Sequence, residues 1–155
     1  MASSFRKLQQ SLSMRALVRF HAENKLLLMA YRQTQMRELG RIVANADGTR
    51  TGAVFELYEQ SFREAFQKPP RHASPINVLM HTLGYFKREL SAREKRHFLE
   101  MLDAYRQGRT PLSSAISILR SWVMRFETEY LYGQTFFTPF PEELMALDDS
   151  GRGRA

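Results

Sequence analysis

Helical periodicity recurs through nearly the whole chain, and no run of alternating β-branched residues bounded by turn residues interrupts it. That property confines the chain to an all-α architecture. A first helix is expected over about residues 13–31, with Leu17, Phe20, Leu27, Leu28 and Tyr31 on one side. It is expected to bend near Gln33 and continue through Leu39, Ile42 and Val43. "NADG", residues 45–48, reads as a turn with a glycine available for positive φ. A helix over about 51–67 follows, stopped by the proline pair at 69–70.

The next starts carry explicit signals. Ser74–Pro75 places a capping residue before a first-turn proline, and Ile76, Leu79, Leu83, Phe86 and Leu90 extend one apolar stripe to Leu90. Ser91-Ala92-Arg93-Glu94 fits the capping box, opening a helix to about Gln107 with Gly108 as its stop. Thr110–Pro111 repeats the cap-plus-proline device and launches a helix to about Tyr132, with Trp122, Val123, Phe126 and Tyr130 on its apolar side. "FFTPFPEELM", 136–145, reads as an extended aromatic and proline strap, and the chain from Asp148 onward as a disordered tail. No internal repeat or linker stands out. The expected fold is a single compact bundle of about six helices over residues 1–147 with a C-terminal strap.

The chain has no cysteine, which excludes disulfides, thiolate metal sites, cysteine nucleophiles and cysteine-held iron–sulfur clusters. Net charge is +7, and residues 1–140 alone carry 21 basic and 12 acidic side chains. Such an excess concentrates polyanions around a small protein. The longest strongly apolar run, "LLLMA" at 26–30, is far short of the roughly 20 residues a membrane span needs. The serine- and arginine-rich start loosely resembles a transit peptide, but it runs without a break into the first core helix, so the cytoplasm is the expected compartment.

Catalytic signatures are sparse. Glu94-Lys95-Arg96-His97 has the Glu-x-x-His spacing of two ligands on one helix face, yet helical di-metal sites need two such motifs plus further acids. No metal or cofactor is expected. His21 and Asn24 fall among Leu17, Leu28 and Tyr31, either as a satisfied polar pair in the core or as the lining of a polar cleft; the core pair is the commoner arrangement. On the helix from Ser74, the face opposite the apolar stripe carries Asn77, His81, Gly84 and Arg88, with Tyr85 at its edge. A mid-helix glycine implies that a crossing helix or a ligand backbone needs the space. Rings beside Lys87, Arg88, Arg93, Lys95 and Arg96 suit unpaired bases and phosphates respectively.

"LVRFHAENKLLLMAY" with a following "LG", "NVLMHTLGYFKREL", "EKRHFLEMLDAYRQGRTPL" and "YLYGQTFFTPFPEEL" together resemble the YbgA-like domain family over about residues 15–145. Members of that family occur alone or fused behind a thiouracil-desulfidase-like domain with a cysteine-bound iron–sulfur cluster. The resemblance implies an all-α accessory module that binds tRNA, in connection with removal of sulfur from 4-thiouridine. It implies no desulfidase chemistry in this chain, which has no cysteine. His21, Lys25, Asn77, His81, Gly84, Tyr85, Lys87 and Glu94 stand where the family pattern expects them. Asn24 and Tyr31 replace histidines that are common in the pattern, so any role of those histidines is not expected here.

The expected function is therefore non-catalytic binding of tRNA or another structured RNA, alone or beside a separately encoded desulfidase. Lys87, Arg88, Arg93, Lys95 and Arg96 would hold phosphates, Tyr85, His81 and Asn77 an exposed nucleotide, and Lys25 with Arg32 an extension of the basic track. The alternatives are a small enzyme on a nucleotide or modified base, with His21 or His81 as general acid–base, and a protein-docking module that recruits a partner through an apolar patch, which a large exposed aromatic surface around "FFTPF" would favour.

Overall fold

The computed structural model describes residues 2–137, with side chains from Phe5 onward. All regular elements among these residues are helical: α1 (Ala2–Ser11), α2 (Met14–Ala44), α3 (Thr51–Ala65), α4 (Ser74–Tyr85), α5 (Ala92–Arg106), α6 (Leu112–Arg125) and α7 (Glu129–Tyr132), then a 3-10 turn Thr135–Phe137. Of the extended strap expected over 136–145, Phe136 and Phe137 are instead buried in this turn, while residues 138–145 and the tail from Asp148 lie outside the described residues. The chain divides into two units, Met1–Pro69 and Pro70–Ala155.

In the first unit α2 is interrupted at Arg32, whose φ of −153° and ψ of 101° are extended. The consequence is larger than the bend expected near Gln33. His21 and Gly40 are nineteen positions apart, and at 1.5 Å per residue a continuous helix would hold them roughly 28 Å apart. Instead a Cβ built on Gly40 would lie 3.4 Å from His21 Nε2. The chain doubles back at Arg32, and a single residue suffices because one extended dihedral pair re-aims the whole following helix.

α3 packs against α2, and the core between them holds Leu17, Phe20, Leu28, Leu39, Val54, Phe55, Tyr58, Phe62 and Ala65. Helix α1, which no expectation covered, joins this core through Phe5. That ring lies 5.8 Å from Tyr58 and 5.7 Å from Phe62, both near-parallel, and 5.4 Å from Phe20. Gln9 also hydrogen-bonds Glu59 on α3. The serine- and arginine-rich start is thus part of the packed unit.

The second unit is organised on α6, which packs against α4, α5 and α7. Trp122 is its pivot: Phe86 approaches to 6.0 Å and Phe98 to 5.3 Å, while Phe126 meets Phe86 at 5.6 Å. Three helix ends differ from expectation. α4 stops at Tyr85, not Leu90, with Phe86 as its cap; residues 86–90 form a turn in which Leu90 N–H bonds the Phe86 carbonyl at 3.1 Å. The expected helix to Tyr132 breaks after Arg125, because Glu127 takes a left-handed φ of 48° and α7 starts afresh. Neither Ser74 nor Thr110 caps as expected: Ala73 and Pro111 occupy those positions without a side-chain cap bond, and Thr110 Oγ1 is buried without a partner among the described residues.

Other signals are realised. Ser91 and Glu94 form the reciprocal capping box of α5. Gly108 closes α5 at φ +70°, the left-handed turn that glycine adopts without a Cβ penalty, with Arg109 N–H reaching the Ala104 carbonyl at 2.8 Å. No helix among the described residues is long and apolar enough to cross a membrane.

Candidate nucleic-acid interface

Four helix ends converge in the second unit. The capping box begins α5, and the Glu94 that completes it accepts from Ser91 N–H and Ser91 Oγ, both at 2.7 Å, and from Arg125 at the end of α6 at 3.0 Å. The Ser91 hydroxyl first, then its N–H and the Arg125 guanidinium, hold the Glu94 carboxyl below its ordinary pKa. Arg125 lies in turn 4.9 Å over the Phe126 ring. Just beyond, the break at Glu127 delivers Tyr130, and its ring lies near-parallel to Tyr85 at the end of α4, 5.6 Å between centroids and 21° between planes. Burial and Tyr85 together raise the Tyr130 phenol's pKa.

The exposed face of α4 runs from Asn77 through His81 to Tyr85, one helical turn at each step, and all three are exposed. The His81 ring stands edge-on to Tyr85 at 5.7 Å. Tyr85 is 42 % and Tyr130 39 % exposed, so two aromatic side chains are left partly in water beside each other. Tyr130 was expected inward; the Glu127 break resets the helical phase and turns it out. Arg88 was expected on the α4 stripe and sits instead on the turn after the helix, with Lys87.

Lys87, Arg88, Arg93 and Arg96 are exposed and Lys95 is half-buried. None of these five takes part in an ion pair among the described residues, where the pairs formed are Arg19–Glu23, Arg63–Glu59 and Arg125–Glu94. Of the two acids in this stretch, Glu94 is held by Ser91 and Arg125, which leaves Glu89 as the other. The cations are therefore available to an outside anion.

Of the two expectations for Gly84, the crossing helix is not met. A Cβ placed there would meet nothing within 4 Å, so no crossing helix uses the space. Because α4 ends at Tyr85, Gly84 is not the mid-helix glycine expected but the last residue but one of the helix.

Lys25 and Arg32 belong to the first unit, Lys25 exposed and Arg32 half-buried at the chain reversal. In that unit Asn24 is 2 % exposed and donates to the Phe20 carbonyl at 2.8 Å. His21 is half-buried, its Nδ1 3.1 Å from the Tyr58 hydroxyl and its ring edge-on to Tyr58. Burial first, and the nearby Lys25 charge second, lower the His21 pKa and favour the neutral ring. Burial likewise raises the Tyr58 phenol's pKa. Among the described residues no three His, Asp or Glu side chains are grouped to hold a metal ion.

The described residues are those of an all-α protein with an exposed ring-bearing face on α4, followed in the chain by exposed cations. The chain belongs to the family described as "Protein of unknown function (DUF1722)", whose model matches residues 25–141. It is similar to the uncharacterized protein YbgA of Escherichia coli (strain K12), 27 % identical over 134 residues, which covers 86 % of this chain and 79 % of that protein. No solved structure matches the chain.

Proposed function

We propose that this protein is a non-catalytic RNA-binding module whose substrate class is tRNA or a similarly folded RNA. The observation that carries the reading is the partly exposed Tyr85–Tyr130 pair with His81 at its edge, followed in the chain by five cations over residues 87–96 that have no ion-pair partner among the described residues. Aromatic faces gain from stacking on bases, while cations gain by releasing the counterions of phosphates. A face that served only solvation would need neither ring. The YbgA-like resemblance adds the context of thiouridine removal from tRNA, with the sulfur chemistry supplied by a separate cluster-bearing partner.

The test is binding of the full chain to unfractionated tRNA at several salt concentrations. Each phosphate contact contributes about 0.7–0.9 to the log–log salt slope, so affinity should fall steeply as salt rises. A salt-insensitive interaction, or no binding at low salt, refutes the reading.

A further inference from the structure

Two features of the α4 face remain open to solvent. Gly84 is the last residue but one of α4, and outside its chain neighbours and the adjoining helix backbone nothing lies within 4 Å of the Cβ it lacks, so the helix surface there is open. Tyr85 and Tyr130 keep their rings near-parallel while each remains more than a third exposed. Both features lie at the end of α4 beside Lys87 and Arg88, and Asn77 and His81 continue the same exposed face.

These features discriminate between kinds of RNA. In a duplex both faces of each base are covered by stacked neighbours, so an aromatic pair gains nothing there, and the protein is held through phosphates and 2′-hydroxyls. An unpaired base presents a bare face for stacking and a free edge for hydrogen bonds. The Asn77 amide and the His81 imidazole, at one-turn spacing, offer donors and acceptors to such an edge. A helix without a side chain at one position lets a sugar–phosphate approach the backbone closely.

We infer that the occupant of this face is an unpaired nucleotide of a folded RNA, its base laid against the Tyr85–Tyr130 pair and its sugar–phosphate passing over the bare backbone at Gly84. The inference rests on the RNA-binding reading above and narrows it.

The experiment compares a hairpin RNA carrying an unpaired loop with a fully paired duplex of the same stem, by fluorescence anisotropy with the full chain. The hairpin should bind about tenfold more tightly, the scale of one base stacked on an aromatic ring. Tyr85→Ala and Gly84→Ala should each remove most of that preference while duplex binding changes by less than about twofold, because the phosphate contacts remain. Gly84→Ala should not lower the melting temperature, because its Cβ meets nothing within 4 Å, and that separates lost recognition from lost folding. Gly52→Ala on α3, where a Cβ also meets nothing within 4 Å, is the control and should keep the preference. Equal affinity for the two RNAs, or a preference that survives both variants, overturns the inference and leaves general RNA binding standing. Failure to bind either RNA at low salt overturns both.

Discussion

Replacing Tyr58 by Phe tests how the first unit's core holds its polar groups. Tyr58 is fully buried, and its ring touches Phe5, Phe20 and Phe62 at centroid distances of 5.8, 6.3 and 6.0 Å. Phenylalanine keeps all of those contacts and removes only the hydroxyl, whose partner is His21 Nδ1 at 3.1 Å. Losing that bond should cost about 0.5–1.5 kcal/mol, the usual net value for one intramolecular hydrogen bond. Tyr58→Ala, in contrast, should cost about 3–5 kcal/mol through the cavity it leaves. Urea unfolding followed by circular dichroism measures both. In a double-mutant cycle with His21→Ala, the Tyr58→Phe cost should shrink, giving a coupling of about 0.5 kcal/mol or more. The pH dependence has a definite sign. Because the folded-state pKa of His21 lies below its ordinary value, the unfolded chain takes up a proton that the folded chain resists. Stability should therefore decline as pH falls from the ordinary histidine value towards the folded one, and His21→Ala should remove that part of the decline. Additive single and double costs, or no change in acid sensitivity without His21, would refute this account of the pair.

In the second unit, Phe98→Ala should destabilise by about 3–5 kcal/mol, and Trp122, 5.3 Å from Phe98, should report it as a red-shifted emission in native buffer. Ser91→Ala should cost about 1 kcal/mol by removing the N-cap acceptor of α5, measurable as a lower melting temperature. Glu94 has a depressed folded-state pKa, so its contribution is present above the ordinary carboxylate value and lost as pH falls through the depressed one. Glu94→Gln should flatten that part of the acid-unfolding curve.

The helical character of the chain and several stops were legible because they depend on local chemistry. Ser91 and Glu94 satisfy each other's backbone within one turn, and Gly108 takes a φ that favours glycine. The end of α4 was not legible. Phe86 and Leu90 are both buried at helical spacing, and the 86–90 turn keeps that spacing after the helix has ended. Periodicity cannot distinguish the two. The left-handed Glu127 was equally hidden, since a non-glycine residue at positive φ has no strong sequence signature. That break is why Tyr130 read as core and emerges beside Tyr85. α1 did carry a signal, Phe5 and Leu8 three positions apart, but ten residues give too little periodicity to separate a helix from a solvated leader. The α4 face itself was readable from Asn77, His81 and Tyr85 alone, because exposed rings on a polar stripe are a local pattern. Whether the cations beside it were already neutralised required coordinates.

The most direct measurement is the salt dependence of tRNA binding for the Lys87→Ala, Arg88→Ala double variant beside the unmodified chain. If these two exposed cations neutralise phosphates, the log–log slope should become shallower by about 1.4–1.8. A slope and affinity both unchanged would place the bound RNA elsewhere and contradict the account.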